Sequence, residues 1–560
     1  MKLRSFFIIL AVSVLILLFG ASSNLYWILG QSPLKLLPGG VLREPITAVF
    51  IPKQAPVMVS LLVNPDRLES LSQYITFPKG RRRLHREFLS LEKQLLSKTG
   101  LDYKTQIRPW LGEEITLAVT SLDFDRNPDN GVQPGYLLAV TTKDKELAKI
   151  FLQSSYSKDA ISGTSDLIFE SYKGVNLIYQ RHRDNPINTR LSATAILDDL
   201  VLFANDPKIL KDAINNVQVR TLNLKNSPNY QEALKTITEP RIGIVYANFP
   251  ALSAWLGNLP IPEIPEITQT LTVAFSVKSR GLVAQTALIG GSEQGEEPPA
   301  LSKPVGALAY VPVNSILTAA GTNLNQLWSQ IETGLANESP LQQLLNRILV
   351  SVQEPLGLDL SEKVFPSIKG EFSLALIPSL GRGEPDGIFV AKKVPDVNFS
   401  EWVENFDKLA QEQGYSVGNL PLLNNTVTVW TKFNTAMGNK DNLTSLEARV
   451  SGVHAEVDDY VIFATSVEAM FQALSTPEIT LIRSRKLQQA VEALPPENDG
   501  YFYIDWSQGK KLLERKFPIV KVVELSIKPL LNNLRSLTVS SQGKENGIRR
   551  ATIFFNLGVH

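Results

Sequence analysis

Residues 100–119, GLDYKTQIRPWLGEEITLAV, are written a second time in altered letters as GLDLSEKVFPSIKGEFSLAL at 357–376. Gly100-Leu101-Asp102 matches Gly357-Leu358-Asp359, Pro109 matches Pro366, and Gly112 matches Gly370, with one residue inserted in the second copy. Three further blocks repeat in the same order. AILDDLVLFAND around Asp198-Asp199 pairs with AEVDDYVIFATS around Asp458-Asp459, and GIVYANFPALSAWL from Gly243 pairs with GYFYIDWSQGKKLL from Gly500. LTVAFSVKSRGLVAQTALIG from Leu271 pairs with LTVSSQGKENGIRRATIFFN from Leu537. So long a period lies outside the range of solenoid repeats and reads as one domain pattern duplicated in tandem.

The local signals fill in that pattern. ITAVFI from Ile46 and PVMVSLLV from Pro56 read as strands, and 79–98 as a helix with Leu84, Phe88, Leu91 and Leu95 on one face. Gly100 stands where a left-handed cap would end that helix. In the second half 340–352 does the same work, with Leu344 and Ile348 on its apolar face. Hairpins follow around the loops 123–135 and 381–387, then helices at 144–155 and 399–413. Asn248 and Asp505 both occupy helix amino-cap positions. Each half is thus expected to be α+β, a mostly antiparallel sheet with helices on one face.

At 560 residues the chain exceeds one ordinary core. The expected division is 1–29 as signal anchor or transmembrane helix, 30–45 as stalk, 46–290 as the first α+β domain, 291–304 as linker and 305–560 as the second domain. The linker GGSEQGEEPPALSKP has the glycine, proline and acid content of an exposed connection. Lys2 and Arg4 precede the uncharged run FFIILAVSVLILLFG, and apolarity resumes at LYWIL, so the segment to Leu29 could span a bilayer. The positive-inside rule then puts Met1 in the cytoplasm and the bulk in the periplasm or a thylakoid lumen. Cleavage after a signal peptide, giving a secreted protein, is the alternative.

Composition excludes several kinds of chemistry. Lysine plus arginine is 56 against 55 acids, a net charge of +1 that leaves no electrostatic footprint for nucleic acid. With no cysteine there is no disulfide, thiolate nucleophile or cysteine-ligated metal. His85, His182, His454 and His560 fall in no metalloprotease spacing, and no Gly-x-Ser-x-Gly elbow occurs.

The acidic loop 123–131 has Pro128 where a calcium loop needs glycine and Pro134 where it needs glutamate, so it reads as a solvated hairpin tip. GRGEPDG at 381–387 is followed by a strand, not by the helix a phosphate loop requires. The aspartate pairs read as tight turns, because neighbours in a strand point to opposite faces. No catalytic, cofactor or metal residue is therefore assigned, and no cofactor is expected. The sharpest charge feature is Lys79, Arg81, Arg82, Arg83 and Arg86, a candidate contact for anionic lipid or an acidic partner.

Ala307-Leu308-Ala309-Tyr310-Val311-Pro312, Trp110-Leu111-Gly112-Glu113 and the DDLVLFA-type hairpins carry a resemblance to a family. With these motifs, most of the chain after residue 45 resembles an uncharacterised, domain-of-unknown-function family of bacterial, mainly cyanobacterial, membrane-anchored proteins. The resemblance implies membrane association and brings no catalytic residues. The expected function is a membrane-anchored, extracytoplasmic and non-enzymatic binding or assembly module, partnered by the lipid bilayer and by a protein. A carrier or sensor of an apolar or lipid ligand is one alternative. A hydrolase with a dispersed active site is the other.

Overall fold

A computed structural model describes residues 39–67, 102–127, 129, 131–161, 165–182, 191–257, 269–278, 280–290, 301–325, 328, 364–379, 385–437, 444–475, 480–510 and 534–557. The first half contributes β1 (Val57–Leu61), β2 (Leu111–Ser121), β3 (Gly135–Thr142), β4 (Ser165–Tyr172), β5 (Val175–His182), β6 (Ala193–Leu197), β7 (Leu200–Ala204), β8 (Gly243–Asn248), β9 (Thr270–Lys278) and β10 (Gly281–Ile289). The second contributes β11 (Leu317–Thr322), β12 (Glu371–Ile377), β13 (Asp386–Lys392), β14 (Ser416–Leu422), β15 (Asn425–Met437), β16 (Thr444–Val457), β17 (Tyr460–Ala464), β18 (Gly500–Asp505), β19 (Ser536–Glu545) and β20 (Ile548–Asn556).

Among the described residues all twenty strands belong to one sheet, and every pairing is antiparallel. Outward from its middle the first half runs β10-β9-β8-β1-β2-β3-β7-β6-β5-β4. The second half runs β20-β19-β18-β11-β12-β13-β17-β16-β15-β14, the same order. The halves meet at β10 and β20, where Gly281 lies opposite Asn556, Gln285 opposite Thr552 and Ile289 opposite Ile548. Antiparallel pairing of corresponding strands is what a two-fold contact between like units produces. Here it forms within one chain.

Tight turns follow from the sequence. Leu197 pairs with Leu200 and Val457 with Tyr460, which leaves two-residue loops at Asp198-Asp199 and Asp458-Asp459. Asp198 has φ 46° and Asp458 φ 50°. Aspartate tolerates that left-handed geometry, and such turns match the twist of the flanking strands.

The helices are α1 (Lys145–Ile161), α2 (Pro207–Gln218), α3 (Pro228–Thr236), α4 (Phe249–Gly257), α5 (Phe399–Glu412), α6 (Val467–Leu474) and α7 (Arg485–Val491). Their starts are capped where the sequence provides acceptors: Asp206 accepts from Lys208 N, Asn398 from Glu401 N and Ser466 from Ala469 N. They cover both faces of the sheet, not the single face expected. Leu202, Ala204 and Ala118 pack with α2 and α3, while Val201, Val140 and Leu117 lie on the opposite face with α1 and α4. In the second half α6 and α7 take the first face and α5 the other. The strands in the middle of the sheet are apolar on both sides, so both sides need cover.

A matched carboxylate locks each half's entry turn. Glu114, fully buried on β2, accepts from the Ile46 and Thr47 amides and from Thr47 Oγ1 at 2.6 Å. Glu371, its counterpart on β12, accepts from Gly306 N at 3.0 Å and Tyr460 Oη at 3.0 Å. Charge-assisted bonds of this kind contribute roughly 1.5–3 kcal/mol each. The strand registers place Glu114 and Glu371 at the same point of the two units, so within this strand the copies align without the insertion that matching Gly112 to Gly370 implies.

The membrane-spanning part of the expected architecture is corrected. Among the described residues no helix is long and apolar enough to cross a membrane, and residues 1–29, on which that reading rests, lie outside them. The fold is α+β with a large antiparallel sheet and several helices. The lipid-bilayer partner, the single-pass topology with a periplasmic or lumenal bulk, and the membrane-anchored function lose their support with that helix. The helices expected at 79–98 and 340–352 also lie outside the described residues.

Candidate functional site

The basic cluster Lys79, Arg81, Arg82, Arg83 and Arg86 lies outside the described residues, as do His85 and His560. The loop after β2 is satisfied by its own turns: Gln133 N donates to Asp123, Asn127 N to Asp125 and Asp129 N to Asn127. Among the described residues no group of three or more histidine, aspartate or glutamate side chains could hold a metal ion. His454 is buried on β16, with Nε2 2.9 Å from Asp407 Oδ1 of α5. Trp430 Nε1 donates to the same oxygen at 2.6 Å. Burial alone would raise the Asp407 pKa, but the hydrogen bonds from His454 and Trp430 outweigh it and hold the carboxyl below its usual range. The first half has Tyr156 Oη of α1 against Thr194 Oγ1 of β6 in the corresponding place. A polar tie from helix to sheet thus recurs with different residues, which marks it as a structural latch.

The arrangement that structure alone reveals lies under α3. Tyr246 projects from β8 between Met58 of β1 and Thr272 of β9. Tyr230 of α3 meets it edge-on, with ring centroids 5.6 Å apart. Both side chains are fully buried, and neither hydroxyl has a hydrogen-bond partner among the described residues. The same holds for Thr272 Oγ1 and for both side-chain polar atoms of Asn248, which therefore does not cap α4 as the sequence suggested.

Arg241 enters just before β8, where its backbone bridges to Val41. Gly40, at φ 140°, packs so closely there that a Cβ would collide with the Arg241 main chain. Arg241 as a whole is 6% exposed, and its Nε and Nη1 atoms are buried. Nη2 donates to the Ile237 carbonyl at 3.1 Å, while Nε and Nη1 have no partner among the described residues.

Electrostatics define the site further. Burial pushes the Tyr230 phenol far above its ordinary pKa, helped by the Glu44 and Glu114 carboxylates and opposed by Arg241. Burial raises Tyr246 as well. Both remain neutral hydroxyls able to donate. Burial lowers Arg241, with Tyr230 and Glu44 opposing that shift, and a guanidinium stays charged in proteins regardless.

The second half fills the corresponding positions differently, although the buried hydroxyls of Thr538 and Ser540 on β19 also lack partners among the described residues. Arg241 is replaced by Asn498, which bridges to Leu301 as Arg241 does to Val41. Asn498 Nδ2 donates to Tyr501 Oη at 2.9 Å and its Oδ1 accepts from Gly500 N at 3.0 Å. Asn248 is replaced by Asp505, which pairs with Lys486 Nζ of α7 at 2.7 Å and accepts from Ser507 N. Leu487 stands where Tyr230 would be. The duplicated frame therefore carries a paired lysine and aspartate in one copy and, among the described residues, an arginine with two unpartnered nitrogens and two unpartnered phenols in the other.

Sequence reasoning passed over Arg241 because a single arginine in TEPRIGIVYAN resembles any strand-start cation. The signal was present only as a difference between aligned copies, Arg241 against Asn498 and Tyr230 against Leu487.

Residues 10–557 match a family described as "Protein of unknown function (DUF3352)". That match does not bear on membrane anchoring or on a cyanobacterial source. No curated protein and no solved structure matches the chain.

Proposed function

We propose that this chain, which belongs to the DUF3352 family, is a receptor for a small polar solute that it binds without turnover. The observation that carries the reading is Arg241, a buried guanidinium whose Nε and Nη1 have no protein acceptor among the described residues. Charged side chains are almost never fully buried unless paired. An unpaired buried ion costs several kcal/mol even after relaxation, a large share of a typical stability of roughly 5–15 kcal/mol. The unmet hydroxyl of Tyr230, which interacts electrostatically with Arg241, adds roughly 1–3 kcal/mol. A polar guest that supplies acceptors removes those penalties, and their release stabilises the complex.

The same geometry argues against an apolar guest, because the groups left over are polar and one of them is a charged donor. The reading of binding without turnover rests on the roles of the placed groups. Asp407 and His454 are engaged with each other and with Trp430, on α5 and the outer strands, while Arg241 offers charge and the tyrosines, kept protonated by burial, offer hydrogen bonds instead of an ionised nucleophile.

The test is a thermal-shift screen of the full chain against small organic acids, polyols and amides at constant ionic strength. Each hit is then followed by mass analysis of the recovered solute. The expected outcome is saturable stabilisation by at least one solute, recovered unchanged. Stabilisation by none would end the binding reading, and a chemically altered solute would end the claim of no turnover.

A further inference from the structure

We infer that the guest of the first half is an oxyanion of the carboxylate type, held by the Arg241 guanidinium and capped by the hydroxyl of Tyr230, with one such site per chain. The inference rests on the solute-binding reading above and narrows it to a chemical class. Arginine pairs with carboxylate and phosphate through two parallel N–H donors. Nη2 carries a second hydrogen beyond the one given to Ile237, so it can join either Nε or Nη1 in such a fork. Tyr230, kept protonated by burial and close enough to interact electrostatically with the guanidinium, adds an O–H donor from the helix side, and the Tyr246 ring backs it edge-on. A neutral amide or polyol would leave the guanidinium charge uncompensated. A carboxylate answers both the charge and the geometry.

The surrounding charges set the limits of the site. Glu44 acts on both Arg241 and Tyr230, and Glu114 acts on Tyr230. Glu114 is spent on the entry turn at Ile46 and Thr47, so its charge is already delocalised into three hydrogen bonds. Glu44 is only half-buried and makes no ion pair with Arg241. It stands as a resident competitor: its charge repels an incoming anion and so tunes affinity downward. The second half cannot serve as a duplicate site, because Asn498 and the Lys486–Asp505 pair satisfy each other's neighbourhood. That asymmetry fixes the stoichiometry at one.

The experiment is isothermal titration calorimetry of the full chain with sodium acetate and, separately, inorganic phosphate, at constant ionic strength, after native mass spectrometry has checked for a retained small acid. The expected result is either a retained acid of one copy per chain or saturable binding of acetate at a stoichiometry of one. Arg241→Met abolishes it. Tyr230→Phe, which removes a hydroxyl without a protein partner, weakens it roughly tenfold while leaving the thermal midpoint near wild type. Glu44→Gln strengthens it severalfold. Acetate binding alone supports the carboxylate guest, and phosphate binding alone would overturn the carboxylate assignment in favour of a tetrahedral oxyanion.

Should Arg241→Met fail to fold, Tyr230→Phe and Glu44→Gln still decide the matter, since they must move affinity in opposite directions. Unchanged binding in all three variants overturns the inference. Saturable binding of glycerol, unaffected by Glu44→Gln and Tyr230→Phe, would overturn the anion assignment while leaving solute binding intact. Silence from both anions and glycerol with no retained acid would overturn both.

Discussion

Single side chains in this molecule do opposite things at matched positions, and the surroundings decide which. Glu114 and Glu371 keep one role in both copies, since each has backbone amides or a phenol aimed at it. His454 and Thr194 share a place on corresponding strands, yet one ties to a carboxylate and the other to a tyrosine. The Asp407 carboxyl is held below the unfolded value of about 3.9 by its hydrogen bonds, so its contribution is present in full above that value. That contribution disappears as pH falls through the lower folded value. Asp407→Asn should therefore cost stability at pH 7 by an amount that shrinks below about pH 4. Urea midpoints of both proteins across that range check it, and a gap that widens in acid would contradict the assignment.

At the level of elements, local chemistry is a good guide wherever a turn or cap depends on one residue. The loops at Asp198 and Asp458 demand positive φ, and aspartate supplies it in both halves. Replacing Asp198 or Asp458 with glycine should alter stability by less than about 0.5 kcal/mol, while valine should cost roughly 1–2 kcal/mol. Chemical denaturation of the four variants measures this, and a valine variant as stable as its glycine partner would rule it out. Helix placement was harder to read. The pattern of β2 is apolar at successive positions, so it could not say which face a helix would cover. α1 and α2 in fact take opposite faces of the same strands.

Over the whole molecule the decisive feature is the seam between β10 and β20. It joins two equivalent runs of strands through main-chain ladders, with Val283 and Phe554 on one face and Leu282 and Phe555 on the other. A central strand tolerates proline poorly, because a ladder bond is lost. Thr552→Pro should cost roughly 3 kcal/mol or more and uncouple the halves. Differential scanning calorimetry should then resolve two transitions where the wild type has one, whereas an unchanged single transition would show that the ladder is not what couples them.

The repeated blocks, the turn aspartates and the alternation of apolar residues settled the α+β class and the like order of elements, because those depend on neighbours a few residues apart. Two things were decided only by the assembled fold. One is that the halves share a sheet, since pairing β10 with β20 links residues such as Gly281 and Asn556 that no local pattern relates. The other is the polar site. Arg241 and Tyr230 acquire meaning only when the fold buries them together, because desolvation leaves donors that are ordinary in water without partners among the described residues.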